Sequence, residues 1–329
     1  ALVSPSERER IKGFVINKFR GDVGLLQDGL DQIQSMTDIP VLGVVPFIPE
    51  LRLDDEDSLS ERLLSPVEKH KEETGAKIVI LILKLPYISN FTDFDALCCV
   101  PGVLVRFFES ALEYGRIVDF LGIPDLIVIP GTKNSVRAMT FLHESGLSKI
   151  IRSYARERPV IGICGGFQLL GEFLHDAEGN EDSSRTSCME ALSLLPVETF
   201  FTREKTRRRV SDEVPPLEGF FSALSGKKIV GYEIHQGRTA RSGGGELGAC
   251  VSSGFVLGTY AHGFFDSPEL LCALLGALCA RRGIPPISVP NVSSLREREL
   301  SRLEMAVRRS VDMEKIYSIL GISPGRGDL

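Results

Sequence analysis

The sequence predicts an α/β protein built on a layered, largely parallel sheet, and three observations predict it. The runs Ile78–Leu83, Gly102–Phe107, Asp125–Pro130 and Pro159–Ile163 are almost continuously apolar, as strands buried on both faces must be. The stretches between them, Phe94–Leu97, Leu112–Asp119 and Val136–Tyr154, have turn or helix character. Alternation of this kind is the pattern of a parallel sheet flanked by helices. Finally, the chain opens on a smaller β–α–β pattern. Lys12–Lys18 and Pro40–Pro46 read as buried strands, and Leu25, Leu26, Leu30 and Ile33 between them have helical spacing. The crossover requires the two strands to be parallel.

Two strands and one helix cannot enclose a core. Residues 1–75 therefore read as the end of a larger α/β domain, and the chain, which starts at Ala1 without a signal-peptide pattern, reads as a fragment. The acidic run Asp54–Asp57 and the charged stretch Glu68–Glu73 read as a solvated linker. The main unit follows over residues 76–283. Past Glu178 it turns polar and basic, with Arg203, Lys205 and Arg207–Arg209, which read as an exposed charged loop or, alternatively, as a contact for a polyanion. Strand character returns at Lys228–Tyr232 and Phe255–Tyr260, and Leu270–Arg282 reads as a helix. Ser294–Leu320 gives one or two amphipathic helices, so residues 284–329 read as a helical extension.

Bulk properties exclude several classes. At 329 residues the chain can bury a sizeable core, and a net charge of −6 argues against general nucleic-acid binding. No apolar run approaches the ~18 residues that a membrane span needs. Seven cysteines without a CxxC suggest reduced thiols, a cytoplasmic setting and no metal site.

The chemistry centres on Pro159–Gly171. A short strand runs into Cys164, flanked by Gly162, Gly165 and Gly166, and a helix starts at once. That is the strand–turn–helix of a nucleophile elbow, with a thiol at a helix N-terminus, where partial positive charge stabilises thiolate. A buried, inert cysteine in a tight turn is the alternative. A thiol nucleophile needs a histidine to take and return a proton. Of five histidines, His262 in Gly258–Phe265 lies just past a strand and before a glycine, where catalytic groups tend to lie. His235 also follows a strand, among Tyr232, Glu233 and Arg238, in what reads as a polar binding loop. Backbone N–H groups of Gly165 and of Gly131 or Thr132 are candidates for an oxyanion hole.

Gly162–Gln168 (Gly-Ile-Cys-Gly-Gly-Phe-Gln) closely resembles the nucleophile motif of class I glutamine amidotransferases. Ile16–Asp22, Leu85–Asp95, Pro130–Asn134, Gly231–His235 and Gly258–Gly263, in this order, are together similar to the cobyric acid synthases, and the likeness covers essentially the whole chain. The resemblance implies a class I glutamine amidotransferase domain, a flavodoxin-like layered sheet, joined to a P-loop synthetase domain. It implies Cys164 as nucleophile, His262 as base and Gln168 as a glutamine-binding residue. It also implies amidation of adenosylcobyrinic acid a,c-diamide, a corrinoid, with ATP and Mg²⁺ serving the full-length enzyme. By analogy with related synthetases, Asn17 and Lys18 would lie near the nucleotide.

Two departures stand out. The glutamate usual two residues past the histidine is replaced by Phe264, so the imidazole is oriented from elsewhere, with Glu233 as the candidate, or a Cys–His dyad serves. No GxxxxGK[ST] run occurs, so this chain is expected to bind no cofactor and not to amidate a corrinoid alone. Cobyrinic acid a,c-diamide synthase and a non-catalytic module with the same fold are the rival readings.

Overall fold

A computed structural model describes residues 3–49, 51, 76–181, 188–244 and 247–322. The acidic run Asp54–Asp57 and the stretch Glu68–Glu73 lie outside the described residues. The chain forms two compact units, Ala1–Leu53 with Ser293–Leu329, and Asp54–Val292.

The first unit begins with α1 (Pro5–Arg8), β1 (Phe14–Phe19), α2 (Gln27–Thr37) and β2 (Val41–Pro46). β1 and β2 pair in parallel, Phe14 beside Val41 and Phe19 beside Pro46, as the crossover requires.

The second unit is built on β3 (Ile78–Leu83), β4 (Val103–Phe108), β5 (Leu126–Ile129) and β6 (Val160–Ile163), with α3 (Asp95–Cys98), α4 (Ala111–Leu121), α5 (Ser135–Glu144) and α6 (Leu147–Tyr154) between them. The helical stretch expected over 136–154 divides at Gly146, whose left-handed φ of 74° ends one helix and admits the next. α7 (Gly165–Leu170) follows the elbow. Next come β7 (Phe173–His175), β8 (Cys188–Glu190), β9 (Val197–Glu213), β10 (Lys228–Arg241), β11 (Cys250–Ser253), β12 (Val256–Thr259) and α8 (Pro268–Arg282).

The main sheet has the order β11-β12-β6-β5-β3-β4. All its pairs are parallel except β11–β12 at one edge. All six residues of β3 are buried, and the twofold alternation of a strand deals them to two cores. Ile78, Ile80 and Ile82 pack with Phe94, Leu97 and Leu274, while Val79, Leu81 and Leu83 pack with Ile117, Met139 and Leu142. Because the strands are parallel, the loops after β3, β5, β6 and β12 open at one edge, where such sheets bind ligands.

A second sheet, β10-β9-β7-β8, corrects the sequence reading. Arg203–Arg209 is not a loop but the middle of β9, and β10 runs on to Arg241 instead of stopping at Tyr232. Pairing along 228–236 with 205–213 satisfies the backbone of a segment too polar to show an apolar period.

Past α8, α9 (Val292–Ser310) and α10 (Met313–Leu320) meet at Val311. Val311 bridges to Gly43 of β2, and the Asp312 N–H donates to the Leu42 carbonyl over 2.7 Å. Leu42, Val45 and Val311 form a small core with Val307, Met313 and Ile316. The helices expected as a separate extension thus pack with the first β–α–β, and three expected segments become two units.

Candidate active site

β6 ends at Ile163 and α7 begins at Gly165, which leaves Cys164 alone to turn the chain. It does so at φ 53°, ψ −111°, a conformation that costs a non-glycine residue about 1–3 kcal/mol. Neighbours hold it there. The Cys164 N–H donates to the Thr259 carbonyl over 2.8 Å, and its carbonyl accepts from the Gln168 N–H at 3.2 Å. Behind the turn, Gly166 lies so close to β5 that a Cβ would stand 2.0 Å from the Ile129 carbonyl oxygen. Only glycine fits.

The loop after β12 brings His262, fully buried, to the same edge. Gly131 fits between the two side chains. A Cβ there would lie 3.3 Å from His262 Cε1, 3.6 Å from Cys164 Cβ and 3.0 Å from Ser89 Oγ. The Cys164 thiol has the Ile234 carbonyl of β10 as acceptor at 3.5 Å.

The group that orients His262 is Asp93, from the loop after β3. Its Oδ2 lies 2.7 Å from His262 Nδ1, and its Oδ1 accepts the Gly263 N–H at 3.0 Å. Asp93 is 2% exposed, so this contact is made almost without water. Burial of the imidazole disfavours its charged form. Hydrogen bonds to Asp93 and Cys164, and the negative charge of both, outweigh that, and the His262 pKa is pushed up to about 10. Nδ1 faces the carboxylate, which leaves Nε2 for the hydrogen bond with Cys164. Asn90 Nδ2 lies 3.1 Å from both ring nitrogens, which is sterically open only above the ring face. The Tyr232 ring stacks on the same imidazole, centroids 5.1 Å apart.

The oxyanion candidates also meet. An antiparallel bridge pairs Ile88 with Thr132, the Ser89 N–H donating to Gly131 and the Lys133 N–H to Tyr87. Alternation along extended backbone turns the Thr132 N–H the other way, toward α7. There a Cβ on Gly165 would lie 2.9 Å from Thr132 N, so the amides of Gly165 and Thr132 are neighbours. As the first helical residue, Gly165 has no carbonyl one turn earlier to bond.

Glu233 does not orient His262. Arg208 clasps its carboxylate with bonds of 2.8 and 2.9 Å, and His235 lies 3.7 Å away. Burial would raise the Glu233 pKa, but the hydrogen bonds from His235 and Arg208 hold it below the usual range. His235 stacks on Tyr260, centroids 3.7 Å apart, with Nδ1 3.1 Å from the Gly237 carbonyl. Gln168 is at the site but spends its amide inside the protein. Its oxygen accepts from Ser135 Oγ at 2.5 Å, and its nitrogen donates to the Gln236 carbonyl at 2.8 Å and to Tyr260 Oη at 3.2 Å. It ties α5, β10 and the elbow helix together. Asn17 and Lys18 belong to the other unit and are exposed near the end of β1, the Lys18 N–H donating to Asn17 Oδ1.

Sequence reasoning missed Asp93 and Asn90 as parts of the site, and read Tyr232 only as a neighbour of His235 in a polar binding loop. A signal for Asp93 existed, because the loop after β3 opens at the same sheet edge as the elbow.

Residues 79–270 match the family model of the CobB/CobQ-like glutamine amidotransferase domain. The chain is 39% identical over 338 residues to a cobyric acid synthase of Desulfitobacterium hafniense, an alignment covering 98% of this chain and 64% of that protein. It is 40% identical over 348 residues to a cobyric acid synthase of Pelotomaculum thermopropionicum, covering 99% and 63%. The chain thus spans a little under two thirds of the length of these relatives. Among solved structures, PurLQS from Thermotoga maritima is similar at a TM-score of 0.43 and 19% identity, over 61% of this chain and 99% of that one. The family match spans more than half of the sequence, including the strands that carry Cys164 and His262, and the chain belongs to the CobB/CobQ-like glutamine amidotransferase domain family.

Proposed function

We propose that this chain is the glutaminase part of a cobyric acid synthase and that it releases ammonia from glutamine through a Cys164 thioester. The observation that carries the reading is the buried Cys164–His262–Asp93 arrangement at the ligand-binding edge of a parallel sheet. In the reaction Cys164 Sγ attacks the side-chain amide carbon of glutamine, and His262 takes the thiol proton. The charge that develops on the amide oxygen faces the N–H groups of Gly165 and Thr132. His262 then protonates the departing nitrogen as the C–N bond breaks, and ammonia leaves. Water, deprotonated by His262, cleaves the glutamyl thioester and returns free glutamate and thiol. Asp93 keeps Nδ1 protonated throughout.

In this proposal the ammonia is used to amidate peripheral carboxylates of adenosylcobyrinic acid a,c-diamide at the expense of ATP. The names of the relatives support the pathway. Residues 1–53, with Asn17 and Lys18, are the end of the synthetase domain. Exposed Val15, Leu25 and Met36 around a two-stranded sheet support a core continued by further chain. The residues of this chain include no phosphate-cradling GxxxxGK[ST] run. No ATP step is assigned to them. All seven cysteines are free thiols, which supports the cytoplasmic setting, and no helix among the described residues is long and apolar enough to cross a membrane.

The test is ammonia release from glutamine by the wild-type chain and by Cys164→Ala, with intact-mass detection of the glutamyl adduct after acid quench. Activity and adduct are expected in the wild type only. Equal ammonia release by both proteins, at a level above background, would overturn the reading.

A further inference from the structure

In the β9–β10 ribbon Arg209 stands opposite Tyr232, Arg207 opposite Ile234 and Lys205 opposite Gln236. Directly opposed residues of an antiparallel pair share a face. This face is the outer one, with Lys205, Arg207, Arg209, Val230 and Ile234 all exposed. The inner face holds Glu233 and His235, and there charge is matched: Arg208 pairs with Glu233 and with Asp212. On the outer face Lys205, Arg207 and Arg209 make no ion pair among the described residues. A row of three cations in a protein of net charge −6 is an uneven use of charge. The row also begins beside the catalytic histidine. Tyr232, across from Arg209, stacks on His262 and exchanges two backbone hydrogen bonds with it, of 2.8 and 3.3 Å.

The geometry discriminates between anions. Alternate residues of a strand stand about 7 Å apart, so the row extends about 14 Å. Phosphate chains are gripped by converging backbone N–H groups, which a ribbon commits to its ladder. Carboxylates on separate arms of a rigid molecule fit a spaced row, and Val230, Ile234 and the edge of Tyr232 offer an apolar strip beside it. We propose that Lys205, Arg207 and Arg209 bind the carboxylates of the amide acceptor, a rigid polycarboxylate small molecule, on the outer face of this ribbon. The proposal rests on the glutaminase reading, since it places the acceptor at the mouth of the ammonia-releasing site.

The test is equilibrium binding of adenosylcobyrinic acid a,c-diamide to the full chain at low salt. Wild type is compared with the triple variant Lys205→Gln, Arg207→Gln, Arg209→Gln and with the single variant Arg207→Gln, which guards against a folding defect. Three exposed charge contacts together amount to about a tenfold loss of affinity in the triple variant and roughly two- to threefold in the single one. The wild-type affinity should fall with added salt, and a corrinoid with every peripheral carboxylate amidated should bind both proteins alike. Affinities within twofold between wild type and triple variant, no binding by the wild type, or charge-dependent binding of ATP in place of the corrinoid would overturn it. Glutamine hydrolysis is measured on the same preparations. Cys164-dependent hydrolysis without charge-dependent corrinoid binding sinks this inference alone, whereas absent hydrolysis sinks the glutaminase reading beneath it.

Discussion

Replacing Asp93 with Asn tests how the site works, because it keeps shape and removes one charge. In the wild type Oδ1 takes the Gly263 N–H and Oδ2 faces His262 Nδ1. An asparagine that keeps its oxygen on Gly263 presents its NH₂ to Nδ1. The imidazole must then accept at Nδ1 and carry its proton on Nε2, the nitrogen meant to receive the thiol proton. One buried hydrogen bond to a charged group is worth about 1.5–3 kcal/mol, or roughly 10- to 150-fold in rate. The wrong tautomer adds to this, and the combined loss of kcat is expected at about 10³-fold. The pH profile supplies a readout that a packing defect would not move. Asp93 helps hold the His262 pKa up near 10, so Asp93→Asn should shift the basic limb of glutamine hydrolysis to lower pH. The same raised pKa stabilises the fold fully below the ordinary histidine value, and that contribution is lost as pH rises through about 10. The stability gap between wild type and Asp93→Asn should accordingly narrow in alkali. Glu233→Gln, which leaves Asp93 in place, should leave the basic limb where it is. An Asp93→Asn enzyme within threefold of wild-type kcat, or one with an unmoved basic limb, would refute Asp93 as the orienting group.

Two further substitutions examine the supports of the elbow. Gly166→Ala puts a methyl 2.0 Å from the Ile129 carbonyl oxygen, and since both sides are backbone neither yields easily. A loss of about 3 kcal/mol or more is expected, a fall in Tm of roughly 6–12 °C, and an unchanged Tm would show that β5 and the elbow are not in contact. Gln168→Ala takes a partner from the Ser135 hydroxyl and the Gln236 carbonyl, and one of two from the Tyr260 hydroxyl, which keeps that of Thr239. Denaturant titration should show about 2–4 kcal/mol lost. A variant with a raised KM for glutamine but full stability would instead make Gln168 a direct substrate contact.

What could be read in the sequence divides along a physical line. β3, β5, β6 and β12 are apolar because both their faces are covered, and burial writes that requirement into every residue, so these strands were legible. The elbow was legible for a related reason: Cys164 needs glycine around it, and glycine at Gly165 and Gly166 leaves a visible mark. The second sheet left no such mark. β9 is held by pairing with β10 over positions 205–213, and backbone pairing does not depend on which side chains point outward. Its exposed face was free to carry arginine and lysine, and a charged strand looks like a charged loop. The error over the orienting acid has the same source. Glu233 is nearer His262 in sequence, 29 positions away against 169 for Asp93, so chain distance alone ranks Glu233 first. Strand order reverses that preference. β3 and β12 are separated in the sheet only by β5 and β6, and parallel strands bring all four following loops to one edge. An acid in any of those loops outranks an acid inside a paired strand, and Leu85–Asp95 holds two, Asp93 and Asp95, of which Asp93 reaches His262. Topology, applied before sequence distance, brings Asp93 among the candidates, beside Asp95 and Asp266 of the loop after β12.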